Sequence, residues 1–111
     1  MNRADDPSLD ILIFAPHPDD AELGMGGTII KTIAAGKRVG VVDLCRGEWG
    51  TKGDAETRAF EAAESSRILG LDYRGNLDLG DGRIADTAEN RMKVVEIIRR
   101  FRSPYVFTCS P

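Results

Sequence analysis

The chain contains one histidine, His17, and two adjacent carboxylates, Asp19 and Asp20, follow it across Pro18. A neutral imidazole nitrogen and a carboxylate oxygen three positions apart suit a divalent cation of borderline softness, zinc above all. On that reading His17 and Asp20 are the ligands. Asp19 stays off the ion and takes a proton from an activated water as general base. Pro18 fixes its own φ and stiffens the span between them. Gly24, Gly26 and Gly27 follow and would let the backbone pack closely on a strand or a ligand. The plain alternative is an ordinary hydrogen-bonded His–Asp pair, with Asp20 capping the next helix.

These groups need a strand before them and a helix after them. The run Ile11-Leu12-Ile13-Phe14-Ala15 is apolar without alternation, the pattern of a strand covered on both faces. Strand 1 is placed at Asp10–Ala15 and helix 1 at Ala21–Ala35, with Gly36 as its left-handed stop. Strand 2 follows at Val39–Leu44, then a polar, Gly-rich loop. Helix 2 spans Ala55–Leu69, with Asp54 as N-cap and Gly70 as its end. Its small face, Ala59, Ala62, Ala63, Ser66 and Leu69, suits close packing on a sheet. A short strand 3 is placed at Asn76–Leu79. Helix 3 starts after Asp86, where Asp86 and Glu89 have capping-box spacing; Met92, Val95, Ile98 and Phe101 form its apolar face. Strand 4 is Tyr105–Cys109.

Strands alternating with helices give an α/β class: a Rossmann-like parallel sheet, helices on both faces, right-handed crossovers. The simplest strand order is 3-2-1-4. A crevice then opens at the carboxyl ends of strands 1 and 4, where ligands of such sheets bind. His17 stands at one lip, and Cys109 and Pro111 at the other.

At 111 residues the chain holds at most one domain. With 41% hydrophobic and 30% charged residues its composition is that of a water-soluble globular protein. Net charge is -3 from 15 basic and 18 acidic residues, which argues against a nucleic-acid partner. No apolar run approaches membrane-spanning length, and the opening Met1–Pro7 lacks the apolar core of a signal peptide. Cys45 and Cys109 are far apart and outside any Cys-x-x-Cys spacing, so a reducing cytoplasm is expected. A homo-oligomer is the expected assembly.

The stretch His17–Thr28 closely resembles the signature of the LmbE-like (PIG-L) zinc-dependent N-deacetylases. Asp43-Leu44-Cys45-Arg46-Gly47-Glu48, then Arg58 opening a helix that ends Arg67-Ile68-Leu69-Gly70-Leu71, extend the resemblance over essentially the whole chain. The resemblance implies one catalytic zinc, with His17 and Asp20 as ligands and Asp19 as base. It implies hydrolysis of the acetamide of an N-acetylglucosamine conjugate, as in bacillithiol and mycothiol pathways, to acetate and a free amine. Glu48 and Arg58 match positions that hold sugar hydroxyls, a task suited to the fixed donors of a guanidinium; as plain residues they are a solvated surface pair. Asp81 is a further substrate candidate, or simply a turn-former between Gly80 and Gly82.

A catalytic zinc usually takes three protein ligands and one open position, and no second histidine is present. Family members continue past strand 4 into a His-Pro-Asp-His segment that completes the site. The expectation is therefore that residues 1–111 are the N-terminal part of a single deacetylase domain, cut before its third ligand and inactive alone. Cys109 and Cys45 are internal substitutes, better read as small buried hydrophobes. The rival readings are a metal-free Rossmann-type nucleotide module and a non-catalytic fragment. Against the module, Gly24-x-Gly26 lies well beyond the strand and Ile29 replaces the third glycine of its fingerprint.

Overall fold

The computed structural model describes residues 6–18, 20–46, 55–80 and 85–108. Seven elements run β1 (Ile11–Ala15), α1 (Asp20–Ala34), β2 (Val39–Asp43), α2 (Ala55–Leu69), β3 (Tyr73–Asn76), α3 (Ala88–Phe101) and β4 (Tyr105–Thr108). The four strands form one parallel sheet in the order β3-β2-β1-β4, the simplest order expected from the alternation of strands and helices. Register pairs Ile13 with Val41 and with Phe107, so β1 is the central rail.

Successive side chains of a strand face opposite sides, and the core divides accordingly. Ile13, Ala15, Val39 and Val41 meet Ala21 and Ile29 of α1, with Leu69 of α2 beside them. Leu12, Phe14 and Val42 meet Phe101 on the other side, flanked by Val94 and Ile97 of α3. Helices therefore cover both faces, and β1 and β2 are almost wholly buried. Strand β4 is exposed along its length. None of the helices among the described residues is long and apolar enough to cross a membrane.

Gly36 (φ 86) and Gly70 (φ 80) end α1 and α2 in the left-handed conformation, the one most open to glycine. Three sequence expectations are corrected. Strand 3 lies at Tyr73–Asn76, not Asn76–Leu79. Asp78 at φ 54 breaks the extended run there, and Leu77 and Leu79 only tie back to Asp43 and Leu44 through their N–H groups. The N-cap of α3 is Thr87, whose hydroxyl accepts from the Asn90 N–H; Asp86 instead pairs with Arg91. The packed face of α3 is Val94, Ile97 and Phe101, while Met92 and Ile98 are exposed. The Asp54 cap lies outside the described residues, as does Cys109.

Candidate functional site

The site grows from the carboxyl end of β1. Beyond Ala15 the chain turns through Pro16, His17 and Pro18 into α1, whose first residue is Asp20. The turn closes on itself: the Asp20 N–H donates to the His17 carbonyl at 3.1 Å, and the His17 N–H donates to Asp20 Oδ2 at 2.9 Å. This local bonding brings His17 Nδ1 within 3.2 Å of Asp20 Oδ2. The two side chains are 44% and 34% exposed, so the pair stands open to an incoming ligand.

That separation bears on metal binding. Two ligands at ordinary zinc distances, on adjacent corners of a tetrahedron, stand about 3.3 Å apart. The imidazole nitrogen and the carboxylate oxygen already have that spacing, and the donor set is one zinc accepts. Among the described residues no group of three or more His, Cys, Asp and Glu side chains is placed to hold an ion.

The turn is also gripped from outside. The Cys45 thiol, buried beyond β2, donates to the Pro16 carbonyl at 3.1 Å. Arg74, from β3, donates through Nη2 to the Pro18 carbonyl at 2.6 Å. The same guanidinium forms a two-pronged pair with Asp43 at the end of β2, at 2.9 and 3.1 Å. It also reaches Glu22 of α1 at 3.2 Å and the Ser66 hydroxyl of α2 at 3.2 Å. Burial pushes the Asp43 carboxyl up to about 6 against the pull of Arg74, and the neighbouring Glu22 and Asp20 charges add to the rise. Burial works against the Arg74 charge too, but Asp43 and Glu22 more than offset it and hold the guanidinium above its ordinary range. At neutral pH both partners are ionised.

Beside this cluster a cavity of about 350 Å³ opens between the ends of β2 and β3 and the face of α2, lined by Pro18, Asp43, Ala59, Ala62, Arg74 and Asn76 among others. The alanines of α2 thus border open space more than they press on the sheet; Ala59 and Ala63 are exposed. Pro18 joins this cavity to the His17–Asp20 turn.

The predicted site residues divide into two groups. His17 and Asp20 are brought together. Asp19, Glu48 and Asp81 lie outside the described residues, and so does the side chain of Arg58, whose backbone falls in the first turns of α2. Among the described residues the glycines after Asp20 pack on nothing: Gly24, Gly26 and Gly27 are inside α1, and a Cβ on any of them would meet no described atom within 4 Å. Cys45 is fully buried with its thiol spent on Pro16, so the reading of it as a buried small residue fits. Sequence reasoning missed Arg74. Its signal was a charge inside a four-residue strand, opposite in sign to the one charge in the apolar run of β2.

The parallel α/β sheet carries a His and an Asp side by side at the carboxyl end of its central strand, the edge at which open sheets of this class bind ligands. Comparison with known proteins gives the family. Residues 12–111 match the family described as GlcNAc-PI de-N-acetylase, PIG-L, and the chain belongs to that family. It is 36% identical over 109 residues to the diacetylchitobiose deacetylase of Thermococcus kodakarensis, covering 91% of this chain and 40% of that protein. In structure it is similar to the conserved protein TT1542 from Thermus thermophilus, with TM-score 0.84 and 55% identity over 89% of this chain and 45% of the other. It is likewise similar to the N,N'-diacetylchitobiose deacetylase of Pyrococcus horikoshii, with TM-score 0.82 and 34% identity over 87% and 39% of the two chains. The chain thus spans less than half the length of these relatives.

Proposed function

We propose that the chain is part of a zinc-dependent deacetylase that hydrolyses the acetamide of an N-acetylglucosamine-type sugar, releasing acetate and a free amine. Membership of the de-N-acetylase family supports the reaction class, and likeness to diacetylchitobiose deacetylases supports the sugar. The observation that carries the metal is the 3.2 Å approach of His17 Nδ1 to Asp20 Oδ2 on a half-exposed turn.

In this reading residues 1–111 are the N-terminal part of one catalytic domain. His17 and Asp20 hold the ion, with a third ligand from elsewhere in the complete protein. Bound zinc supplies a Lewis acid for the acetamide carbonyl and acidifies a water. Asp19, next to the ligand Asp20 in sequence, accepts the proton from that water and returns one to the leaving amine. Glu48, Arg58 and Asp81 hold sugar hydroxyls, Arg58 through its fixed fork of donors. The proposal includes a cytoplasmic homo-oligomer; cysteine usage supports the compartment.

The test pairs metal analysis with product detection. The complete protein should carry one zinc per chain and release acetate from N,N'-diacetylchitobiose or a related N-acetylglucosamine conjugate. Chelation should abolish the release, and added zinc should restore it. Full activity after complete metal removal would overturn the reading.

A further inference from the structure

We propose that Arg74 is a positioning residue for the metal-binding turn, acting through the carbonyl of Pro18. The inference rests on the metal-dependent reading above and adds to it a part played by β3.

The argument starts from what holds the turn. At Pro18, between the two donors, the ring fixes φ and the peptide plane that follows is rigid. Its own ψ is then its one soft torsion, and that angle aims its carbonyl. Arg74 Nη2 donates to that carbonyl at 2.6 Å, the shortest of its contacts. One hydrogen bond from a distant strand therefore fixes the last soft torsion of Pro18, midway between the two donors.

The guanidinium is itself immobile. Asp43 holds Nε and Nη2 from one side, and Glu22 and Ser66 hold Nη1 from others. Its side chain is 12% exposed, against 3% for Asp43 and 19% for Glu22. A buried ion cluster of this kind is a poor source of net stability, because desolvation consumes much of the attraction. Fixed geometry is what such a cluster delivers, and here it is delivered to a main-chain oxygen of the ligand turn. Lysine cannot substitute, since a single ammonium lacks the planar fork needed to meet Asp43 in two places and Pro18 together.

The experiment compares Arg74→Lys and Arg74→Ala with wild type in the complete protein. Its readouts are zinc affinity by chelator competition, kcat and KM separately, and thermal unfolding. Arg74→Lys keeps a positive charge between Asp43 and Glu22, so it should fold. It should nonetheless bind zinc about 10- to 100-fold more weakly, the usual cost of losing a partner that orients a ligand. kcat should fall with it while KM stays nearly unchanged. In Arg74→Ala, millimolar guanidinium should enter through the neighbouring cavity and restore zinc affinity and kcat without matching gain in Arg74→Lys.

Wild-type zinc affinity in a folded Arg74→Lys protein would overturn the positioning role. So would a loss in Arg74→Ala that follows thermal stability alone and ignores added guanidinium. If Arg74→Ala does not fold, the lysine variant decides. A wild-type protein without stoichiometric zinc would instead strike the reading underneath, and the two failures are told apart by that measurement.

Discussion

Two polar clusters sit at the same carboxyl edge of the sheet, and they differ in almost every respect. His17 and Asp20 are three residues apart, share one turn, and are 44% and 34% exposed. Arg74, Asp43 and Glu22 come from β3, β2 and α1, are up to 52 positions apart in the chain, and are buried to within a fifth of full closure. The first pair is bonded within its own turn and partly open to solvent. The second spends most of its donors and acceptors on itself, and sends bonds outward to the Ser66 hydroxyl and the Pro18 carbonyl. The difference separates a place that can take a ligand from a place that can only hold a shape.

Removing the imidazole tests this division most severely. His17→Ala in the complete protein should cost about three orders of magnitude or more in kcat/KM, since the several kcal/mol a metal supplies are lost with it. Urea unfolding of the two proteins, both stripped of metal, should differ by less than ~0.5 kcal/mol, as for other accessible substitutions. A variant that keeps its activity while losing stability would reverse the roles assigned to the two clusters. Next in size, Asp19→Asn should lower kcat by about 10²- to 10⁴-fold, the range of a lost general base, with zinc content unchanged. Loss of zinc with the activity would make Asp19 a ligand instead.

The same contrast explains what could be read before any coordinates. The His17–Asp20 pair is a local matter of spacing and turn closure, so residue types three apart sufficed. The parallel sheet followed from alternation and handedness, which depend on the whole pattern and tolerate boundary errors, and β3-β2-β1-β4 is the simplest order they allow. Arg74 was out of reach because its meaning depends on register. Only the pairing of Val41 with Arg74 and of Asp43 with Asn76 places the guanidinium beside the carboxylate. Strand 3 was misplaced for a related reason: Leu77 and Leu79 carry the apolar signal, yet Asp78 turns left-handed between them. On α3, helical spacing admitted two apolar stripes, and only packing on Phe14 and Val42 chose Val94 and Ile97 over Met92 and Ile98.

The buried cluster makes its own prediction with pH. Burial first, and the nearby carboxylates next, raise Asp43 to about 6 in the folded protein from 3.8. A group whose folded pKa lies above its unfolded value stabilises most when protonated in both states, and that contribution fades as pH climbs through the folded pKa. Asp43→Asn cannot titrate. The stability of wild type relative to Asp43→Asn should therefore decline between pH 4 and pH 6, by on the order of 3 kcal/mol. Urea titrations of both proteins across that range provide the check; a flat difference would show that Arg74 balances desolvation, and one that grows with pH that Arg74 outweighs it.

The smallest effect expected is at Glu22, and it is the finest test of the contrast. Glu22→Gln removes one of the two charges facing Arg74 but leaves an amide oxygen able to accept from Nη1. Asp43 still grips the guanidinium from both prongs, so the bond to Pro18 survives. The second contact, from Nη2 to the other Glu22 oxygen at 3.4 Å, is lost with the amide, so unfolding free energy should fall by about 1 kcal/mol, the net worth of one partly buried hydrogen bond. Zinc affinity should change by less than about 3-fold, below the loss expected for a broken orienting contact. A drop in zinc affinity as large as that of Arg74→Lys would mean that the carboxylate of α1, rather than the reach of Arg74 to the Pro18 carbonyl, holds the turn in register.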